Sequence, residues 1–177
     1  MTIIGIGNIL QKDDGLGVYA ASYLSQNFTF NPAVNIVNGG VQGINLFNYF
    51  LEGDPILILD SIELDDTPAS IYAIPAQELA GYGLNSGGAH EIGVIQCLDM
   101  LELQGYEVPE TMLIGIIPQH VTFEIALSET IKDAFEGYIS VALQYLKKKG
   151  IEAIPTSSKV SLQEIINRAN DPSGIMI

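Results

Sequence analysis

Five side chains in this sequence have the types and spacing to do chemistry. Asp13 and Asp14 stand side by side in Gly5-Ile6-Gly7-Asn8-Ile9-Leu10-Gln11-Lys12-Asp13-Asp14-Gly15-Leu16-Gly17, a glycine-rich turn that follows an apolar strand and leads into a helix. Asp60 closes the most hydrophobic run of the chain, Ile56-Leu57-Ile58-Leu59. His90 opens a helix after Asn85-Ser86-Gly87-Gly88-Ala89, and His120 follows Ile117-Pro118-Gln119. Carboxylate oxygens with an imidazole form a mixed donor set that suits a divalent metal and leaves coordination positions open. A carboxylate so placed also serves as a general base.

The turn invites a second reading, a phosphate loop, because Gly5-x-Gly7 follows a strand and precedes a helix. Three details oppose it. The third glycine of the dinucleotide pattern falls on Leu10. Asp13 and Asp14 put negative charge where a pyrophosphate needs bare N–H groups. The second strand ends in Asn38-Gly39-Gly40, without the acid that grips a ribose. A helix N-terminus does stabilise carboxylates as anions, so one aspartate of the pair is expected to cap the helix while the other points into the crevice. His120 is expected to be an exposed loop residue. The sequence contains no HExxH, no GxSxG elbow and no second cysteine, so serine or cysteine nucleophiles find no support.

The positioning elements follow from hydrophobic periodicity. Strands are expected at Thr2–Ile6, Ala33–Val37, Ile56–Leu59, Ala69–Ile74 and Met112–Ile117, and helices at Gly15–Gln26, around Ile44–Leu51, from His90, and over Glu129–Lys148. Strands alternating with helices imply an α/β fold, a three-layer α/β/α sandwich with a mostly parallel, twisted sheet of about five strands. If the third strand lies beside the first, Asp60 and the aspartate turn share the crevice outside the strands' carboxyl ends, where open sheets bind ligands. Residues 1–149 read as this domain. Residues 150–177 read as an extension, packed on it or loosely tethered: Pro155-Thr156-Ser157-Ser158 looks like a linker, and Ser161-Leu162-Gln163-Glu164 is a capping box opening a short helix.

Composition narrows the partners. The 177 residues carry 7 basic and 21 acidic side chains, a formal charge of −14, which repels nucleic acid and anionic membrane surfaces. No apolar run approaches the roughly 20 residues that span a bilayer. The chain enters a strand at once without a basic leader, and Cys97 is its one cysteine, so the expected compartment is the reducing cytoplasm. Nothing in the pattern demands an oligomer, and a monomer is expected.

Taken in order, these segments resemble the maturation endopeptidases of nickel–iron hydrogenases. Gly7-Asn8-Ile9-Leu10 with Asp13-Asp14-Gly15-Leu16-Gly17 is similar to that family's opening signature; Leu59-Asp60, His90-Glu91-Ile92-Gly93, Ile114-Gly115-Ile116-Ile117-Pro118 and Leu127-Ser128 resemble its later motifs. The likeness covers about residues 2 to 148. It implies a peptidase that removes a C-terminal extension from a hydrogenase large-subunit precursor after nickel insertion. It further implies that the nickel belongs to the substrate, so the isolated protein holds it weakly or not at all. Asp14, Asp60 and His90 match the family's nickel-contacting positions and are the implied catalytic residues, although some members carry Glu where Asp14 stands. The tail and His120 lie outside the likeness. Two other functions remain open on the residues alone: a self-sufficient metallohydrolase of small peptides or amides, and a non-catalytic docking module that senses nickel loading.

Overall fold

The computed structural model describes residues 1–82 and 89–171, with the side chains of residues 80–82, 89–92 and 95 outside the described set. Strand β1 (Thr2–Ile6) leads through a 3-10 turn (Lys12–Gly15) into α1 (Leu16–Asn27), and β2 (Phe28–Asn31) and β3 (Asn35–Gly40) follow. A second 3-10 turn (Gly43–Leu46) and the short α2 (Phe47–Leu51) connect to β4 (Ile56–Ser61) and β5 (Ile71–Pro75). After a 3-10 segment at Ala76–Tyr82 come α3 (Ala89–Leu103), β6 (Thr111–Ile116), α4 (Glu129–Lys148), β7 (Glu152–Pro155) and α5 (Leu162–Ala169).

Five strands form one sheet in the order β3-β1-β4-β6-β5, in which only β5 runs antiparallel. The sandwich and its mostly parallel sheet are as the periodicity implies, and β4 does lie beside β1. The register pairs Gly5 with Leu59 and Asp60 with Gly115, so β4 extends past the end of β1. Asp60 and Ser61 therefore stand at the carboxyl edge of the sheet.

Alternation along β4 feeds two cores. Leu57 and Leu59 pack with Leu16, Tyr19 and Leu24 of α1, Phe135 and Tyr138 of α4, and Ile165 and Ile166 of α5. Ile56 and Ile58 pack on the other face with Phe50, Leu79, Val94, Cys97 and Leu101. Every β4 residue is buried, as expected for a central strand covered by helices on both sides.

Three local expectations change. Asn38, Gly39 and Gly40 belong to β3 instead of stopping it, because β1 pairs Ile6 with Gly40 across a register shift. Ala69 precedes its strand and adopts φ +70, and β5 starts at Ile71. Pro155 ends a strand: β7 pairs antiparallel with β2, a second small sheet that joins residues far apart in sequence. The buried Asn27 amide secures the same region, donating to the Val160 carbonyl at 3.0 Å and accepting from the Val160 N–H at 2.8 Å. The Ser161–Glu164 capping box starts α5, whose Ile165 and Ile166 are buried.

Candidate active site

The turn after β1 is shaped by two close approaches. Gly7 adopts φ +131, and a Cβ there would lie 1.9 Å from the Asp14 carbonyl oxygen. Gly17 lets α1 sit directly on the strand ends, since its Cβ would lie 2.1 Å from the Leu59 carbonyl and 2.3 Å from that of Ile6. Such spacing admits no side chain. These glycines hold the aspartate turn against β4.

The two aspartates of the turn part company. Asp13 is fully buried and faces the start of α4. Its Oδ1 accepts the Ser128 N–H at 2.6 Å; its Oδ2 accepts the Ser128 hydroxyl at 2.8 Å and the N–H groups of His120 at 2.9 Å and Gln119 at 3.0 Å. Ser128 is the N-cap of α4, so the carboxylate also meets that helix's positive end. Neither aspartate caps α1, contrary to the sequence expectation: its N-cap is Gly15, and no side chain closes it. Both carboxylates precede the α-helix, in a 3-10 turn that aims Asp13 at a different helix.

Asp14 is half-buried and stays at the sheet edge. Its Oδ2 accepts the Asn8 N–H at 2.9 Å and its Oδ1 accepts the Ser61 hydroxyl at 3.2 Å. Asp60 is 1 % exposed, and its Oδ1 accepts the Ser61 N–H at 2.8 Å. One residue thus touches both acids. Asp60 lines a small cavity with Ile58, Ala76, Leu79, Val94 and Leu113, on the α3 face of the sheet. Behind it, the Tyr138 hydroxyl accepts the Asp60 N–H at 3.0 Å and donates to the Ile114 carbonyl at 2.7 Å. Burial, and secondarily the charge of Asp60, holds that phenol well above its usual pKa, so it remains a neutral donor.

His90 lies in the first turn of α3, the helix whose Val94, Cys97 and Leu101 cover the Asp60 face. Its side chain falls outside the described residues, as does the Asn85–Gly88 run before it. His120 has an exposed side chain and contributes only its backbone, to Asp13. Among the described residues, no three of His, Cys, Asp and Glu gather closely enough to hold a metal.

The loop from Gln119 to Ser128 is fastened to the turn at a second point. Lys12, at φ +51, donates its N–H to the Glu124 carbonyl at 2.8 Å, and its ammonium pairs with the Glu124 carboxylate at 2.8 Å. Sequence reasoning missed Ser61, Tyr138 and the Asp13–Ser128 contact. Ser61 alone left a trace, as a hydroxyl residue directly after the strand-terminal acid.

Two carboxylates brought to one serine, Asp14 on its hydroxyl and Asp60 on its N–H, at the carboxyl edge of a parallel sheet offer oxygen ligands to a divalent cation and a proton acceptor to water. Known proteins share this frame. Residues 18–145 match the family model described as hydrogenase maturation protease. The hydrogenase 2 maturation protease of Escherichia coli is 28% identical over 154 residues, covering 86% of this chain and 94% of the relative. The solved hydrogenase maturating endopeptidase HybD from E. coli superposes with a TM-score of 0.81 at 27% identity, over 88% of this chain and 97% of that one. The [NiFe] hydrogenase maturation protease HybD from Thermococcus kodakarensis reaches 0.66 at 25% identity, over 81% and 97%. With the family model spanning most of the sequence and the solved proteases sharing its sheet, the chain belongs to the hydrogenase maturation protease family.

Proposed function

We propose that this protease removes the C-terminal extension of a nickel–iron hydrogenase large-subunit precursor, and that it acts once nickel has been inserted into that precursor. The observation that carries the reading is the meeting of Asp14 and Asp60 at Ser61, at the carboxyl edge of the sheet. Nickel here is part of the substrate. The carboxylates of Asp14 and Asp60 are suited to engage it, with His90 the third candidate from the start of α3.

Hydrolysis adds a water oxygen to the scissile carbonyl carbon, breaks the C–N bond and delivers a proton to the departing amine. Asp14 is the better placed acceptor for the water proton, because it is only half-buried whereas Asp60 is 1 % exposed. The Asn8 N–H and the Ser61 hydroxyl keep the Asp14 carboxylate oriented toward the edge. Asp60 then supplies fixed negative charge to the cation. The test is cleavage of purified precursor with and without nickel: the loaded form shortens and the empty form does not.

A further inference from the structure

We propose that Ser61 is a positioning residue that couples the two carboxylates of the site. Neighbours on a strand point to opposite faces. Asp60 accordingly lines the cavity on the α3 side of the sheet, while Ser61 directs its hydroxyl to Asp14. Its N–H donates to Asp60 Oδ1 at 2.8 Å and its hydroxyl donates to Asp14 Oδ1 at 3.2 Å. Asp14 is anchored at its other oxygen by the Asn8 N–H at 2.9 Å. A carboxylate held at one oxygen by a backbone donor still swings about that contact. A donor at the second oxygen fixes the plane of the group.

The sheet does not need this hydroxyl. The ladder at the end of β4 is made by backbone groups, the Ile62 N–H reaching the Ile116 carbonyl at 2.9 Å. Ser61 is 6 % exposed, so the small Oγ spends its bonding capacity inside the site and not on solvent. The backbone arm to Asp60 survives any substitution, whereas the arm to Asp14 is lost with the oxygen. Removing it takes away one of the two described anchors of Asp14 while the backbone arm to Asp60 stays. This inference rests on the proteolytic reading above, because it assigns Ser61 a part in that site's geometry.

The test uses the full chain as wild type, Ser61→Ala and Ser61→Thr, with nickel-loaded precursor as substrate. Misplacing one catalytic group should lower kcat of Ser61→Ala about tenfold, with KM within about twofold. Ser61→Thr, which restores the oxygen on a β-branched strand residue, should recover to within about threefold. Thermal midpoints of all three should agree within about 6 °C, since water reaches the half-buried Asp14 in place of the lost hydroxyl. Calorimetric titration with nickel(II) alone is the second arm; Ser61→Ala should weaken binding several-fold and Ser61→Thr should restore it. Wild-type kcat in Ser61→Ala, or Ser61→Thr no better than Ser61→Ala, overturns the proposal. A wild-type protein that cuts no precursor sinks the protease reading, and the nickel arm then decides Ser61 by itself. Where the isolated proteins bind nickel, equal affinities across the three overturn the positioning role; where none binds, as the family resemblance implies, the kcat comparison alone decides it.

Discussion

Replacing Asp13 separates a structural carboxylate from its neighbour Asp14, the proposed base. Asp13 gathers four donors at 2.6 to 3.0 Å in a fully buried position. In Asp13→Ala, water reaches the freed N–H groups of Gln119 and His120, whose residues are exposed, but not that of the buried Ser128. The N–H and the hydroxyl of Ser128 both lose the carboxylate, at about 1–3 kcal/mol for each stranded donor, and the charge-assisted bonds lost with the carboxylate are each of about 1.5–3 kcal/mol. Allowing for the two donors that water satisfies, the net loss is about 3–5 kcal/mol, a large share of the roughly 5–15 kcal/mol that holds a typical domain together. At about 2–4 °C per kcal/mol for a chain of this size, the thermal midpoint should fall by about 6–20 °C. Asp13→Asn keeps the shape and one acceptor oxygen but turns an amide N–H₂ toward a donor, and about half that loss is expected. Urea and thermal unfolding followed by circular dichroism measure both. Precursor cleavage by Asp13→Asn, assayed well below its midpoint, should stay within about twofold of wild type, because Asp13 faces α4 and not the carboxylate pair. An Asp13→Ala protein as stable as wild type would refute the reasoning. So would an Asp13→Asn protein of full stability that no longer cuts.

Two further outcomes follow. Asp14→Asn keeps the fold and should abolish most cleavage of nickel-loaded precursor, a loss of about 10²-fold or more read by gel shift, since a general base contributes about 10²–10⁴-fold; cleavage at the wild-type rate removes Asp14 from the chemistry. Alkaline stability should fall in a defined window. Burial raises the Cys97 thiol from 9.0 to about 11 and the Tyr19 phenol from 10.0 to about 12. Both are buried in their neutral form, so the unfolded chain releases its protons first and the stabilisation, complete below pH 9, drains away between pH 9 and 12. Thermal midpoints measured from pH 8 to 11 should decline above pH 9, and a flat profile contradicts the assignment.

The frame of the site was legible because it rests on strong local signals. The unbroken apolar run Ile56–Leu59 announces a central strand, and the acid that ends it must lie at the carboxyl edge. The glycines on either side of Asp14 announce a tight strand-to-helix turn, and the structure shows why, in the approach of Gly7 to the Asp14 carbonyl and of Gly17 to Leu59. What stayed hidden depends on long-range partners. Asp13 looks like a cap for the helix that follows it, yet its donors come from Gln119, His120 and Ser128, more than a hundred residues away. Tyr138 carries no local signal that sets it apart within α4; only the fold brings its hydroxyl against the Asp60 backbone. Strands β2 and β7 are four residues each, too short for the Phe28–Phe30 alternation of β2 to stand out and without alternation in β7; their pairing with each other makes them strands. Glu164 shows the opposite case. Its capping box with Ser161 is written in four consecutive residues, and hydrogen bonds from the Ser161 N–H and hydroxyl hold its carboxyl below the usual range.

Intact-mass spectrometry of a hydrogenase large-subunit precursor, incubated with this protein in nickel-loaded and nickel-free form, tests the central claim most directly. The account predicts a loss of mass equal to one C-terminal segment in the loaded form alone, with the nickel-free precursor unchanged over the same period. Equal cleavage of both forms, or cleavage of neither by the folded wild-type chain, contradicts it.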